Sequence, residues 1–150
     1  TPIKSSAASD VYKRQMQQIS RFHCRDQASL LRLAKEIIRV FSDRLNLREL
    51  RKLSSHAEKD KLGSNKLLQD VLAKKIGEER ARQVFGPIVG AYDLRVGDAH
   101  PTSSKIGDAL ELAGIDESQS YLRQGEQLIH NVGYSVWCIG KLLFEEKGNP

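Results

Sequence analysis

Residues 27–45 read QASLLRLAKEIIRVFSDRL. Leu30, Leu33, Ala34, Ile37, Ile38, Phe41 and Leu45 recur at spacings of three and four. An α-helix turns once per about 3.6 residues, so these side chains form one apolar stripe on a helix. Asp26 stands just before the stripe, where a short acceptor side chain caps the first turn. No stretch elsewhere in the chain shows the strict alternation of a half-buried strand.

Working outward, the same period recurs. A short helix starting at Asn46 carries Leu47, Leu50 and Leu53. Residues 54–64 are polar, end in Gly-Ser and read as a loop. Residues 65–76 place Leu67, Leu68, Val71, Leu72 and Ile76 on one side, and Gly77 stops that helix. Residues 78–98 open with two acids, which suits a helix N-terminus. They continue through Ala81, Val84, Phe85, Ile88, Val89, Tyr92 and Leu94. Pro87 predicts a kink or break in that helix, and Pro101 ends it. A short helix over 104–113 is closed by Gly114. The longest helix is predicted over 118–146, with Leu122, Leu128, Ile129, Val132, Val136, Ile139, Leu142 and Leu143 as its apolar set. The predicted class is all-α, a bundle of about four to six helices with a long C-terminal helix.

The chain has 150 residues, the size of one domain, and 39% of them are hydrophobic, enough for one modest core. No run reaches the roughly 18–20 apolar residues of a membrane helix. No signal-peptide pattern is present. Cys24 and Cys138 make neither a disulfide framework nor a zinc site, and no metal or cofactor is expected. These features predict a cytoplasmic domain that does not associate with membranes.

Residues 1–15, TPIKSSAASDVYKRQ, lack apolar periodicity and resemble a translated library adapter. They are set aside as a non-native leader, which leaves 16–150 as a single helical domain. On this reading Met16 is an internal methionine, and the chain is the C-terminal part of a longer protein.

Charge is distributed unevenly. Residues 1–15 carry a net +2, residues 16–52 a net +5 and residues 53–150 a net −2. The basicity sits in one N-terminal helical region and is mostly arginine. A basic helix favours an anionic partner such as RNA, DNA or an acidic protein surface, with Arg32, Arg39, Arg48 and Arg51 as the candidate contacts. A solvated helix face accounts for the same charges without a ligand.

The glycines suggest close packing. Gly86, Gly90 and Gly97 share one helical face, and Gly125, Gly133 and Gly140 share another. Glycine inside a helix costs about 1 kcal/mol against alanine. Two such faces predict helices that approach each other closely, with flexibility around Pro87 as the alternative.

No phosphate-cradling loop, dinucleotide fingerprint, zinc-protease motif or nucleophile elbow is visible. Residues 91–104 read AYDLRVGDAHPTSS and hold Arg95 and His100 with four residues between them. Arg51 with His56 and Arg123 with His130 fit the same loose arginine–histidine pattern. Arg95 differs in context. It follows a strongly apolar helical stretch and precedes the long final helix.

This RxxxxH arrangement resembles the signature of HEPN (higher eukaryotes and prokaryotes nucleotide-binding) domains. These are small helical bundles, many of them metal-independent endoribonucleases of toxin–antitoxin and phage-defence systems. The helix order resembles the family over residues 27–146, the motif only over residues 91–101. The resemblance implies catalytic roles for Arg95 and His100. Gly97-Asp98 is a turn signal, and Pro101 biases His100 out of the helical region, so His100 can swing back toward Arg95. Asp98 and Tyr92 are supporting residues, Asp98 by holding the guanidinium and Tyr92 by packing on it or contacting a base. The family often has Asn, Asp or His directly after the arginine, and Val96 departs from that pattern.

The mechanism implied is attack of the ribose 2′-OH on the adjacent phosphate. One histidine does not conveniently serve both proton transfers, so a homodimer pairing two motifs is implied by the family, along with an antitoxin or other partner protein. The alternative is a non-catalytic helical interaction or RNA-binding module of a larger protein or a two-gene system. In that case Arg95 and Asp98 form a salt bridge and His100-Pro101 is a helix terminator.

Overall fold

A computed structural model describes residues 9–14, 23–97 and 103–144, and all the regular structure among them is helical. In chain order the helices are α1 (Gln27–Ser42), α2 (Leu47–Leu53), α3 (Ser64–Ile76), α4 (Glu78–Gly97), α5 (Ser103–Leu112) and α6 (Tyr121–Phe144). The predicted all-α bundle with a long C-terminal helix is what the chain adopts.

Local chemistry sets the boundaries. Asp26 Oδ1 accepts the Ser29 N–H at 2.8 Å, and Ser29 Oγ accepts the Asp26 N–H at 3.1 Å, a reciprocal capping box. Asn46 caps α2 by accepting the Glu49 N–H at 3.2 Å. Gly77 ends α3 at φ +88°, a left-handed backbone that favours glycine. Its N–H donates to the Ala73 carbonyl at 2.8 Å.

The bundle is built around α4, which packs against α1, α3, α5 and α6. Ala81, Phe85, Ile88, Ala91 and Leu94 of α4 are fully buried. A helix surrounded on several sides is apolar around much of its circumference. Leu30, Leu33, Ala34, Ile37 and Ile38 of α1, Leu67, Leu68 and Leu72 of α3, and Leu128, Val132 and Ile139 of α6 complete one core.

Several expectations need correction. The predicted break at Pro87 does not occur, because α4 runs through it as one helix. Proline has no N–H to give the Gln83 carbonyl, and its ring crowds that turn. One residue further on, the Val84 carbonyl accepts a hydrogen bond from the buried Ser135 Oγ of α6 at 2.8 Å. The neighbouring helix thus supplies a donor beside the proline.

The last helix starts at Tyr121 and not at residue 118. Asp116 Oδ1 accepts the Ser118 N–H at 2.9 Å and the Ser118 hydroxyl at 2.7 Å, which favours a turn over a helix. Leu122 and Val136 of the predicted apolar set are exposed.

Residues 1–15 lack apolar periodicity in the sequence, yet residues 9–14 are helical. Their surface is mostly exposed, and the Arg44 guanidinium lies 3.6 Å from the centroid of the Tyr12 ring.

The glycines of the two faces whose surroundings are described, Gly86, Gly90, Gly133 and Gly140, do not meet each other. A Cβ on Gly90 would lie 2.5 Å from Ala113 N and 2.7 Å from Ala109 O, so α4 approaches α5 there. Around Gly133 and Gly140 nothing lies within 4 Å of such a Cβ.

Candidate nucleic-acid interface

The last turn of α4 presents Tyr92, Asp93, Arg95 and Val96 on its exposed side, while Ala91 and Leu94 anchor the other side in the core. Tyr92 and Arg95 are three residues apart and therefore neighbours on the helix. The Arg95 guanidinium stands over the Tyr92 ring, 5.5 Å from its centroid. That is a cation–π geometry which leaves the hydrogen-bonding edge of the arginine available. Among the described residues no carboxylate lies within ion-pair distance of Arg95. Loss of solvent raises the Asp93 carboxyl above its ordinary value. A cation at this end of α4 also complements the helix dipole. His100 and Asp98, the other members of the predicted site, lie outside the described residues, as does Pro101.

The two competing arginine–histidine matches are engaged in other work. Arg51 Nη2 donates to the Asp60 carbonyl at 3.3 Å, and His56 Nδ1 accepts the Glu58 N–H at 3.1 Å. Both hold the loop between α2 and α3. The same loop is fixed by Ser54, whose hydroxyl donates to Asp70 Oδ2 at 2.6 Å while accepting the His56 N–H at 3.1 Å. Arg123 is paired with Glu126 at 2.8 Å, and His130 stands exposed seven residues along α6. A separation of seven residues is about 10.5 Å of helix rise, too far for the two to act on one phosphate.

The predicted RNA-backbone arginines divide into two kinds. Arg32, Arg39 and Arg48 are exposed. Arg32 and Arg39 lie two turns apart on the outer side of α1, opposite its buried stripe. Lys35 is exposed between them, and Arg39 has Glu36 at 3.6 Å. Arg51 is half-buried, is held by the Asp60 carbonyl and has a buried Nε without a partner, which makes it a loop-anchoring residue.

Among the described residues no group of three or more His, Cys, Asp and Glu is arranged to hold a metal ion. No helix there is long and apolar enough to cross a membrane. Burial pushes the Cys24 thiol above its ordinary value, which disfavours the thiolate.

Sequence reasoning missed the exposed aromatics of α6. Tyr134 is 61% exposed, Trp137 57% and Phe144 70%. The Tyr134 and Trp137 rings stack with centroids 5.9 Å apart, and Lys141 Nζ lies 5.5 Å from the Trp137 ring centroid. The signal in the sequence was their spacing of three and seven, which puts all three on one side of the helix.

No family model, curated protein or solved structure matches this chain.

Proposed function

We propose that the chain is a HEPN-like, metal-independent endoribonuclease whose site is Arg95 with His100, of the kind used in toxin–antitoxin or phage-defence systems. The observation that carries this reading is the exposed Arg95 at the end of α4, stacked over Tyr92 and unpaired with any carboxylate among the described residues. The exposed arginines of α1 and α2 support an anionic substrate, because cations on a helix face attract a phosphate backbone.

The chemistry is transesterification within RNA. The ribose 2′-oxygen attacks the adjacent phosphorus and loses its proton. The bond from phosphorus to the 5′-oxygen breaks, and that oxygen takes up a proton. The products are a 2′,3′-cyclic phosphate and a 5′-hydroxyl. His100 moves one of these protons, since an imidazole can both give and take a proton near neutral pH. Arg95 stabilises the charge that builds on the equatorial phosphate oxygens, and its planar fork can contact two of them. Tyr92 offers a ring against which a base can stack. The second proton transfer falls to the His100 of a second copy in a homodimer.

The test is cleavage of single-stranded RNA by the purified chain in EDTA. His100→Ala and Arg95→Ala each lose about 100- to 10,000-fold in rate. His56→Ala, and His130→Ala at protein concentrations that keep the chain dimeric, retain wild-type rate, because their side chains serve a loop and a helix face apart from the site. Loss of activity in either control with retention in His100→Ala would refute the assignment.

A second reading, a non-catalytic interaction module that belongs to a larger protein or a two-gene system, is favoured by the exposed aromatics of α6. Absence of cleavage by the wild-type chain at every salt concentration decides for it.

A further inference from the structure

One face of α6 is buried through Leu128, Val132, Ser135 and Ile139. Among the described residues nothing covers the opposite face. Along it run Glu126, His130, Gly133, Trp137, Gly140 and Phe144, at alternating spacings of four and three. All are exposed except Gly140, which is half-buried and has nothing within 4 Å of where its Cβ would be. This is the period of a coiled-coil seam, and bulky and small side chains alternate along it.

We propose that this seam is the interface of an antiparallel homodimer, with the two α6 helices related by a two-fold axis. The occupant follows from the order of the residues. In an antiparallel pair, Trp137 lies over the partner's Gly133 and His130 over the partner's Gly140, so these two bulky groups each meet a glycine, while Phe144 lies over the partner's Glu126. A parallel pair would set Trp137 against the partner's Trp137 and leave the glycines facing each other across a void. Charge favours the same choice. The parallel pair puts Lys141 beside the partner's Lys141, whereas the antiparallel pair brings it toward the end that carries the partner's Glu126. Tyr134 and Val136, both exposed, flank the axis and extend the contact.

The area is sufficient. Large aromatics carry about 200 Å² each, so the exposed parts of Tyr134, Trp137 and Phe144 amount to about 400 Å² per copy and about 800 Å² for the pair. Val136, His130 and the aliphatic stem of Lys141 bring the total into the range of about 1,200 Å² where stable interfaces begin. An uncovered apolar stripe of this size on a helix is a typical interaction surface.

The seam is argued from α6 alone and involves neither Tyr92 nor Arg95, so a dimer without RNA cleavage leaves it standing, whereas cleavage that draws on a second His100 needs a dimer. Sedimentation of the full chain tests it. The wild type is expected to be a dimer at tens of micromolar. Trp137→Ala and Gly133→Glu each raise the dissociation constant by about 30-fold or more, the effect of removing a central anchor. Gly133→Glu is the cleaner variant, because a Cβ there meets nothing within 4 Å in its own copy and the position is exposed. Its circular dichroism stays that of a folded helical protein. Trp137 is the single tryptophan of the chain, so its emission reports the seam directly and shifts to the red as the wild type is diluted. A wild type that stays monomeric at these concentrations overturns the proposal. So does a dimer that both variants leave intact, or one whose tryptophan emission does not change on dissociation.

Discussion

Gly90 and Gly133 both sit inside helices, and their spacings in the sequence look alike, but they answer to different physics. A methyl group on Gly90 would lie 2.8 Å or less from three atoms of Ala109 and Ala113, in α5 and just past its end, two of them backbone. Gly90→Ala should therefore lower stability by about 2–3 kcal/mol despite the better helix propensity of alanine, as overpacked cores do. Gly133→Ala should raise the stability of the monomer by several tenths of a kcal/mol up to about 1 kcal/mol, because only propensity acts there. Urea unfolding of the two variants measures both signs. Asp26 gives a pH-dependent case. Hydrogen bonds from the Ser29 backbone and side chain hold its carboxyl below the ordinary value. A depressed pKa contributes stability that is present above the unfolded carboxylate value and lost as the pH falls through the folded one. The stability difference between wild type and Asp26→Ala should be largest near neutral pH and shrink under acid conditions. Asp26 was legible as a cap from its position before an apolar stripe. The close approach at Gly90 was legible only in part, since spacing shows which glycines share a face but not what covers that face.

At the scale of the element, α6 does three jobs with three faces. Leu128, Val132 and Ile139 fill the core. Gln124, Gln127 and Asn131, spaced by three and four, hold the loop that precedes the helix. Gln124 Nε2 donates to the Gln119 carbonyl at 2.8 Å, and Gln127 Oε1 accepts the Asp116 N–H at 3.0 Å. Asn131 Nδ2 donates to the Ala113 and Gly114 carbonyls at 2.9 and 3.0 Å, closing the end of α5. The third face is the exposed seam. Ser135 adds a long-range bond to the Val84 carbonyl, in the turn that Pro87 disturbs. Ser135→Ala should cost about 1 kcal/mol, the ordinary contribution of a buried hydrogen bond, and a thermal melt would show it. A result within error of wild type would mean that the proline turn needs no outside donor. The apolar period identified each helix, because burial needs a stripe whatever the neighbours are. It did not locate the start of α6, where the side chain of Asp116 competes for backbone N–H groups. It also did not foresee that α4 continues through Pro87, since the supporting donor comes from more than forty residues away in the chain.

Over the whole molecule, α4 organises both the core and the candidate site. Its buried residues hold α1, α3, α5 and α6 together, and its last turn carries Tyr92 and Arg95 into solvent. The fold class was readable because every long segment repeats the helical period. The candidate site was readable only as a motif. Arg95 was separable from Arg51 and Arg123 by context; Arg51 is held by the Asp60 carbonyl and Arg123 is paired with Glu126. The exposed aromatics of α6 escaped notice because apolar residues on two sides of a helix look like one thick stripe until the neighbours are placed. The most direct test of the ribonuclease reading is the chemistry of the ends it leaves. Mass spectrometry of an RNA oligonucleotide treated with the wild-type chain in EDTA should find 2′,3′-cyclic phosphate and 5′-hydroxyl ends, and none with His100→Ala. Products with 3′-hydroxyl and 5′-phosphate ends, or equal cleavage by His100→Ala, would contradict it.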